Sequence, residues 1–165
     1  MPKVHSMSVT GYKSIRSLHD FKLNNLNVLI GGNGAGKSNF ISLFKFLNQI
    51  YEQNLQVYSQ VQGGPDALLH FGRHITEELH VSYSFTEKTK NFYSFDLRPT
   101  KDNRLIFSLE QAGIYSCTGK VTVYSDSGHV ESPLKYSTDE YFSEVASSVN
   151  SWRVIIFKIP VIQPM

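Results

Sequence analysis

Apolar and polar residues alternate with two different periods along this chain of 165 residues, and each period predicts one type of element. Residues 5–9 and 20–23 have the pattern of short strands, and residues 11–14, which read Gly-Tyr-Lys-Ser, predict a turn between them. Residues 26–30 form an apolar run of strand length that ends at a glycine. The N-terminal part therefore predicts a hairpin followed by a third short strand.

The helical period follows in residues 38–53. Apolar side chains recur there at spacings of three and four residues, which is typical of one buried helix face. That face is formed by Phe40, Ile41, Leu43, Phe44, Leu47, Ile50 and Tyr51. The pattern predicts one amphipathic helix directly after a glycine-rich segment.

A period of two dominates from residue 79 to residue 124. Four runs alternate there between apolar and polar side chains, which predicts half-buried antiparallel strands joined as a meander. The runs are residues 79–85, 93–97, 105–109 and 121–124. Beyond them, Ser137 and Glu140 have the spacing of a helix capping box, and residues 152–161 are a last apolar stretch. The patterns predict a mixed α/β fold with an antiparallel β subdomain.

The glycine-rich segment before the helix has the spacing G-x-x-x-x-G-K-[ST], which is typical of phosphate-binding loops. Its residues are Gly31, Gly32, Asn33, Gly34, Ala35, Gly36, Lys37 and Ser38. Glycine lets the backbone curl so that its N–H groups point at an anion, and the following helix directs its positive end to the same place. We expect Lys37 to reach the β and γ phosphates of a nucleotide, and the Ser38 hydroxyl to ligate Mg²⁺. A chance glycine-rich turn explains the predicted flanking strand and helix less well.

Composition and charge narrow the class of protein only slightly. A net charge of +2 gives no argument for a nucleic-acid or membrane partner. Cys117 is the single cysteine, so an intrachain disulfide is impossible. No apolar run reaches the roughly 20 residues of a membrane span, and the first residues lack a signal-peptide core, so we expect a cytoplasmic protein without membrane contact.

Two segments together resemble a known group of ATPases. Residues 9–15 read VTGYKSI, and residues 26–39 read LNVLIGGNGAGKSN. The pair resembles the N-terminal part of ABC-type P-loop ATPases of the SMC, RecF and OLD groups, and residues 63–72 and 104–107 are similar to bacterial AAA-type ATPases of the RecF/OLD-like kind. The resemblance implies the first lobe of an ABC-like ATPase head, with ATP and Mg²⁺ as cofactors.

The resemblance also implies roles for single residues and for partners. Asn33 and Asn39 occupy positions at which the family shapes its loop. Lys13 occupies a position where the family often has a basic residue near the nucleotide, and a solvated surface lysine is an equally good interpretation. The implied function is ATP binding, while Mg²⁺-dependent hydrolysis, a homodimer and contact with DNA belong to the full-length proteins of the group.

The groups that hydrolysis requires are missing from the sequence pattern. An acidic residue after a second apolar strand should hold Mg²⁺, and the nearest candidate, residues 105–110, reads better as a strand of the meander. No LSGG-type signature occurs. The sequence therefore predicts an incomplete head without a catalytic residue of its own, and a non-catalytic nucleotide-binding remnant or interaction module remains the alternative. A small P-loop kinase or GTPase would need alternating strand–helix units after the loop. The antiparallel strands predicted over residues 79–124 argue against that class.

The end of the chain and its histidines complete the expectations. Residues 152–154 resemble a family segment whose usual continuation is absent, so we expect a frameshift near Phe157. Residues 1–157 would then be the ATPase lobe, and residues 158–165 an out-of-frame or disordered tail. His70 and His74 have the spacing of a helical metal pair, but without an acidic partner pattern they read better as loop histidines.

Overall fold

The computed structural model describes residues 4–24, 26–85, 91–116 and 119–136, together with residues 143, 146 and 147. The predictions for Cys117, Ser137, Glu140 and residues 152–165 lie outside the described residues, as does the predicted boundary at residue 157. No helix within the described ranges has the length and apolar character that crossing a bilayer requires.

Six strands in the described ranges form a single antiparallel sheet with the order β2-β1-β3-β4-β5-β6. The elements are β1 (Val4–Tyr12), β2 (Ile15–Lys22), α1 (Lys37–Tyr51), α2 (Leu55–Val61), α3 (Pro65–Leu68), β3 (Leu79–Phe85), β4 (Asn91–Pro99), β5 (Leu105–Ser116), β6 (Gly119–Asp126) and a 3₁₀ turn at Pro133–Lys135. The predicted meander is confirmed, because β3 to β6 pair consecutively. The N-terminal hairpin extends this meander, since β1 lies between β2 and β3.

Strand β2 begins five residues earlier than the sequence pattern predicts. The prediction covered residues 20–23, whereas the strand runs over Ile15–Lys22. It is an edge strand with β1 as its neighbour, and most of its side chains are exposed or half-buried. An edge strand with little burial needs few apolar residues, so its first half carries no strong alternation.

The strand predicted at residues 26–30 is wrong. This segment has no regular structure, and the exposed fractions of Leu26, Val28 and Ile30 are 79%, 70% and 91%. A strand needs a neighbour that pairs with its N–H and C=O groups, and no strand of the described sheet runs beside this segment. Its apolar side chains therefore point into solvent in the described part of the chain.

Helix α1 begins and ends within two residues of the prediction, but its buried face is centred differently. The fully buried residues are Leu43, Phe46, Leu47 and Ile50. Phe40 is only partly buried and meets Phe21 edge to face at the border of the core. The wide apolar stripe in the sequence thus contains a central strip that contacts the sheet and a margin that covers its edge.

A β-bulge in β5 inverts the alternation that the sequence predicts for this strand. Pairing with β4 passes from Leu97–Phe107 to Asp96–Leu109, which leaves Ser108 as an extra residue. Phe107 is fully buried, but two residues later Leu109 is only half-buried and Glu110 is completely buried. The rejection of residues 105–110 as an acidic Mg²⁺ motif agrees with this position of Glu110 inside the sheet core.

Candidate functional site

The glycine-rich loop connects the edge of the sheet to α1. The chain leaves β2, turns through mutual hydrogen bonds between Asn24 and Asn27, and reaches the first helical residue, Lys37, without regular structure. Residues 31–35 are exposed, and Gly36 is half-buried at the start of the helix. The motif therefore lies at the surface, where a soluble ligand has access.

Two glycines give the loop its path. Gly34 has φ +84° and Gly36 has φ +85°, and both values are strained for residues with a side chain. Gly36 also serves as the N-cap of α1, and no side chain caps this helix. Within the loop, Ala35 N–H donates to the Gly32 carbonyl at 3.3 Å. The loop thus makes one tight turn and then enters the helix through a left-handed residue.

The start of α1 presents backbone donors without protein acceptors. The N–H groups of Lys37, Ser38 and Asn39 donate to no group in the described part of the chain, and the first intrahelical bond is from Phe40 N–H to the Gly36 carbonyl at 2.9 Å. Unpaired N–H groups at a helix start carry partial positive charge. An anion such as a phosphate group would satisfy them.

Lys37 curls back over the loop that precedes it. Its Nζ donates to the carbonyl oxygens of Gly31 and Gly32, both at 2.6 Å. The ammonium group therefore lies on the concave side of the loop, where these carbonyls are its only acceptors among the described residues. Ser38 is exposed, and its hydroxyl makes no hydrogen bond to the described residues, so it is available to a metal ion.

The turn between β1 and β2 contacts both the loop and α1. Tyr12 Oη lies 2.9 Å from Ser42 Oγ, and Asn39 Nδ2 donates to Ser14 Oγ at 2.8 Å. A Cβ atom on Gly36 would come within 3.1 Å of Ser14 Oγ. Burial raises the pKa of the Tyr12 phenol well above its usual range, so the phenol remains a donor. The hairpin thus holds the loop at its helical end.

Lys13, in the same turn, points to a different part of the molecule. Its Nζ donates to Gln62 Oε1 at 3.0 Å, its N–H donates to the Leu68 carbonyl, and its carbonyl lies 2.6 Å from His70 Nδ1. Burial lowers the pKa of the Lys13 ammonium group. The structure therefore pairs Lys13 with the segment after α2, and its contact with a nucleotide stays a prediction.

Comparison with protein-family models gives one match that spans most of the chain. Residues 26–153 match AAA_21, an AAA domain whose description links it to the AbiEii toxin of type IV toxin–antitoxin systems. The chain belongs to this family. Membership in the AAA_21 family identifies an AAA-type P-loop ATPase domain, a class that binds nucleotides and in general uses ATP and Mg²⁺. A comparison with curated proteins finds no match.

The AAA domain keeps its described carboxylates away from the loop. None of them forms a hydrogen bond or an ion pair with residues 31–39 within the described ranges. The nearest partners of Glu52, Asp66 and Glu78 are instead Lys135, Arg73 and Arg98. Within the described ranges, the start of α1 therefore has unpaired backbone donors and an unpaired Ser38 hydroxyl, and no carboxylate is bonded to the loop.

A second polar region of the AAA domain lies at β6. A cavity of about 350 Å³, here called the β6 cavity, is lined by Gln53, Tyr124, Asp126, His129, Glu131, Pro133 and Tyr136. None of these residues belongs to the glycine-rich loop. Among the described residues, no group of three or more His, Cys, Asp or Glu side chains is placed to hold a metal ion.

Sequence reasoning missed the residues that position the loop. The sequence pattern places Tyr12 and Ser14 in a turn and in the segment that carries the family resemblance, but it assigns no partner to either of them or to Gln62 and His70. Their contacts join segments that are 25 to 57 residues apart in the chain, as between Ser14 and Asn39 or His70 and Lys13. Local periodicity carries no signal for such pairs. The turn sequence at residues 11–14 is the one feature of the pattern that points to this part of the chain.

Proposed function

We propose that this AAA domain binds ATP together with Mg²⁺ through residues 31–38. The observation that carries the proposal is the conformation of this segment. Gly34 and Gly36 adopt positive φ values, and the N–H groups of Lys37, Ser38 and Asn39 have no acceptor in the described part of the chain. A phosphate chain supplies the anionic acceptors that such donors lack.

In this proposal the phosphates replace the acceptors that Lys37 uses in the structure. Its Nζ would exchange the neutral carbonyls of Gly31 and Gly32 for oxygens of the β and γ phosphates, which form stronger, charge-assisted bonds. The Ser38 hydroxyl would ligate Mg²⁺, whose other ligands would be phosphate oxygens and water. Asn33 would lie next to the phosphates. Lys13 would keep its bond to Gln62, and it would reach the nucleotide only if that bond opens.

Hydrolysis would then depend on groups outside the described residues. We extend the proposal to an SMC/RecF/OLD-like ATPase, on the resemblance of residues 9–15 and 26–39, in which a carboxylate and a water-orienting group complete the centre. A homodimer and contact with DNA belong to this wider proposal, and so does a cytoplasmic location. A motif that holds phosphates but lacks a nearby acid is consistent with a centre assembled from more than one segment.

The alternative is a domain that binds nucleotide without turning it over. The observation in its favour is that no described carboxylate contacts residues 31–39. Such a domain would act as a nucleotide-dependent interaction module. The two proposals share the binding site and differ only in the fate of the γ phosphate.

Calorimetric titration with MgATP tests the binding site directly. We expect the natural chain to bind and Lys37→Ala to weaken binding by about 10- to 100-fold, because a hydrogen bond to a charged group contributes roughly 1.5–3 kcal/mol. Lys45→Ala is the matched control, since Lys45 is an exposed lysine of the same helix. Equal affinities for both variants would contradict the site.

Phosphate release in the same samples separates the two proposals. Turnover by the natural chain that disappears in Lys37→Ala would favour the ATPase. Binding without measurable turnover would favour the interaction module.

A further inference from the structure

The turn between β1 and β2 is attached to the first two turns of α1 at two points. Asn39 Nδ2 donates to Ser14 Oγ at 2.8 Å. Tyr12 Oη and Ser42 Oγ share a hydrogen bond at 2.9 Å, and Ser42 Oγ donates to the Asn39 carbonyl at 2.8 Å. Asn39 is therefore held through its side chain and through its backbone, on the same side of the helix.

Ser14 also limits the space at Gly36, the residue through which the loop enters the helix. A Cβ atom built on Gly36 would lie 3.1 Å from Ser14 Oγ, which is tighter than about nine in ten real Cβ contacts. Gly36 and Asn39 bracket Lys37 and Ser38, the two residues to which the phosphate and metal contacts are assigned. The Ser14 hydroxyl thus bonds to the residue after this pair and limits the space at the residue before it.

The turn has a firm support on its other side. Lys13 N–H donates to the Leu68 carbonyl at 2.8 Å, and His70 N–H donates to the Gly11 carbonyl at 3.0 Å. Lys13 itself has φ +47°, a strained value that these contacts hold in place. Ser14 therefore belongs to a turn that backbone hydrogen bonds hold in place, and its hydroxyl bonds to the first turn of α1.

We propose that Ser14 is a positioning residue for the phosphate-binding segment. Its hydroxyl holds the Asn39 side chain, so that the N–H groups of residues 37–39 point in one direction before a nucleotide arrives. Ser14 itself does not contact the nucleotide. This inference rests on the proposed function, because it assigns to Ser14 a part of the binding affinity of residues 31–38.

The physical basis is preorganisation. Without the Ser14 hydroxyl, the Asn39 amide is free to bond with the loop backbone, as Asn side chains often do near helix starts. Binding would then have to order the segment that the hydroxyl orders in the natural chain, and affinity falls by that cost. The loss concerns the phosphate contacts, so it should be the same for ATP and for tripolyphosphate, which has no base or sugar.

The test measures the affinities of the natural chain and of its variants for MgATP and for tripolyphosphate by calorimetry. Ser14→Ala removes the hydroxyl, Ser14→Thr retains it, and Asn39→Ala removes its partner. Ser17→Ala is the control, because Ser17 is an exposed serine of β2 whose side chain makes no hydrogen bond to the described residues. Thermal unfolding of each variant reports whether the fold is changed.

We expect Ser14→Ala to weaken both ligands by about three- to tenfold, the range for one lost hydrogen bond, and Ser14→Thr to restore most of the affinity. Ser17→Ala should bind like the natural chain, and the unfolding midpoint should stay constant because Ser14 is exposed. Combining Ser14→Ala with Asn39→Ala should cost no more than the larger single effect, since both remove the same contact.

Two results would overturn the inference, and they differ from failure of the binding site itself. Natural affinity in Ser14→Ala, with Lys37→Ala still defective, would refute the role of Ser14 alone. Additive losses in the double variant would refute the coupling to Asn39. No binding of either ligand by the natural chain would refute the proposed function, and the role of Ser14 with it.

Discussion

Glu110 is a buried charged residue at the centre of a side-chain hydrogen-bond network in the core. Its carboxylate is completely buried and accepts hydrogen bonds from Tyr93 Oη, Ser132 Oγ and His129 Nε2, each at 2.6 Å. Burial, with the nearby Glu110 charge, raises the pKa of Tyr93 far above its usual range, so the phenol remains a donor. Glu110 thereby joins β4, β5 and the segment after β6.

Removing this carboxylate should therefore destabilise the fold. We expect Glu110→Ala to lower the free energy of unfolding by about 3 kcal/mol, because it leaves buried donors without their acceptor. Glu77→Ala is the control at an exposed glutamate and should change stability by less than about 0.5 kcal/mol. Urea unfolding measures both, and similar values for the two variants would contradict the buried network.

The position of Glu110 also shows what a sequence pattern can predict for one residue. Strict alternation predicts Leu109 inside and Glu110 outside, and the bulge at Ser108 reverses both. A bulge depends on the register with the neighbouring strand, which no local window contains. In contrast, the spacing from Gly31 to Ser38 predicts a phosphate-binding loop without long-range information, because the chemistry of such a loop is local to eight residues.

At the scale of elements, residues 26–30 are the clearest difference between pattern and structure. Their apolar composition is typical of a buried strand, but Leu26, Val28 and Ile30 are exposed. Periodicity reports which residues favour burial, and it does not report whether a neighbouring strand is available. For β3 to β6 the neighbours follow directly in the chain, and there the same reasoning was right.

A matched pair of substitutions tests this difference. Ile30 is 91% exposed and Ile50, on α1, is 1% exposed. We expect Ile50→Ala to cost about 2–5 kcal/mol of unfolding free energy, as core truncations do, and Ile30→Ala to cost less than about 0.5 kcal/mol. If Ile30→Ala destabilised this chain as much as Ile50→Ala, residues 26–30 would be buried, and the described conformation would be wrong.

At the scale of the whole molecule, one antiparallel sheet carries the helices and the loop. The N-terminal hairpin joins the sheet through β1, next to β3, although Leu79 lies 67 positions after Tyr12 in the chain. The sequence pattern predicts both the hairpin and the meander. It does not predict that they form one sheet, because the pairing of β1 with β3 joins residues that are distant in the chain. This pairing places the turn with Ser14 against α1.

The central claim is that residues 31–38 of this AAA domain bind the phosphates of ATP. The most direct measurement is a titration of the isotope-labelled chain with MgATP, followed by backbone amide NMR. Our expectation is that the largest shifts occur at Gly34, Gly36, Lys37, Ser38 and Asn39. Unchanged amides at these residues under saturating MgATP, or shifts confined to the β6 cavity, would contradict it.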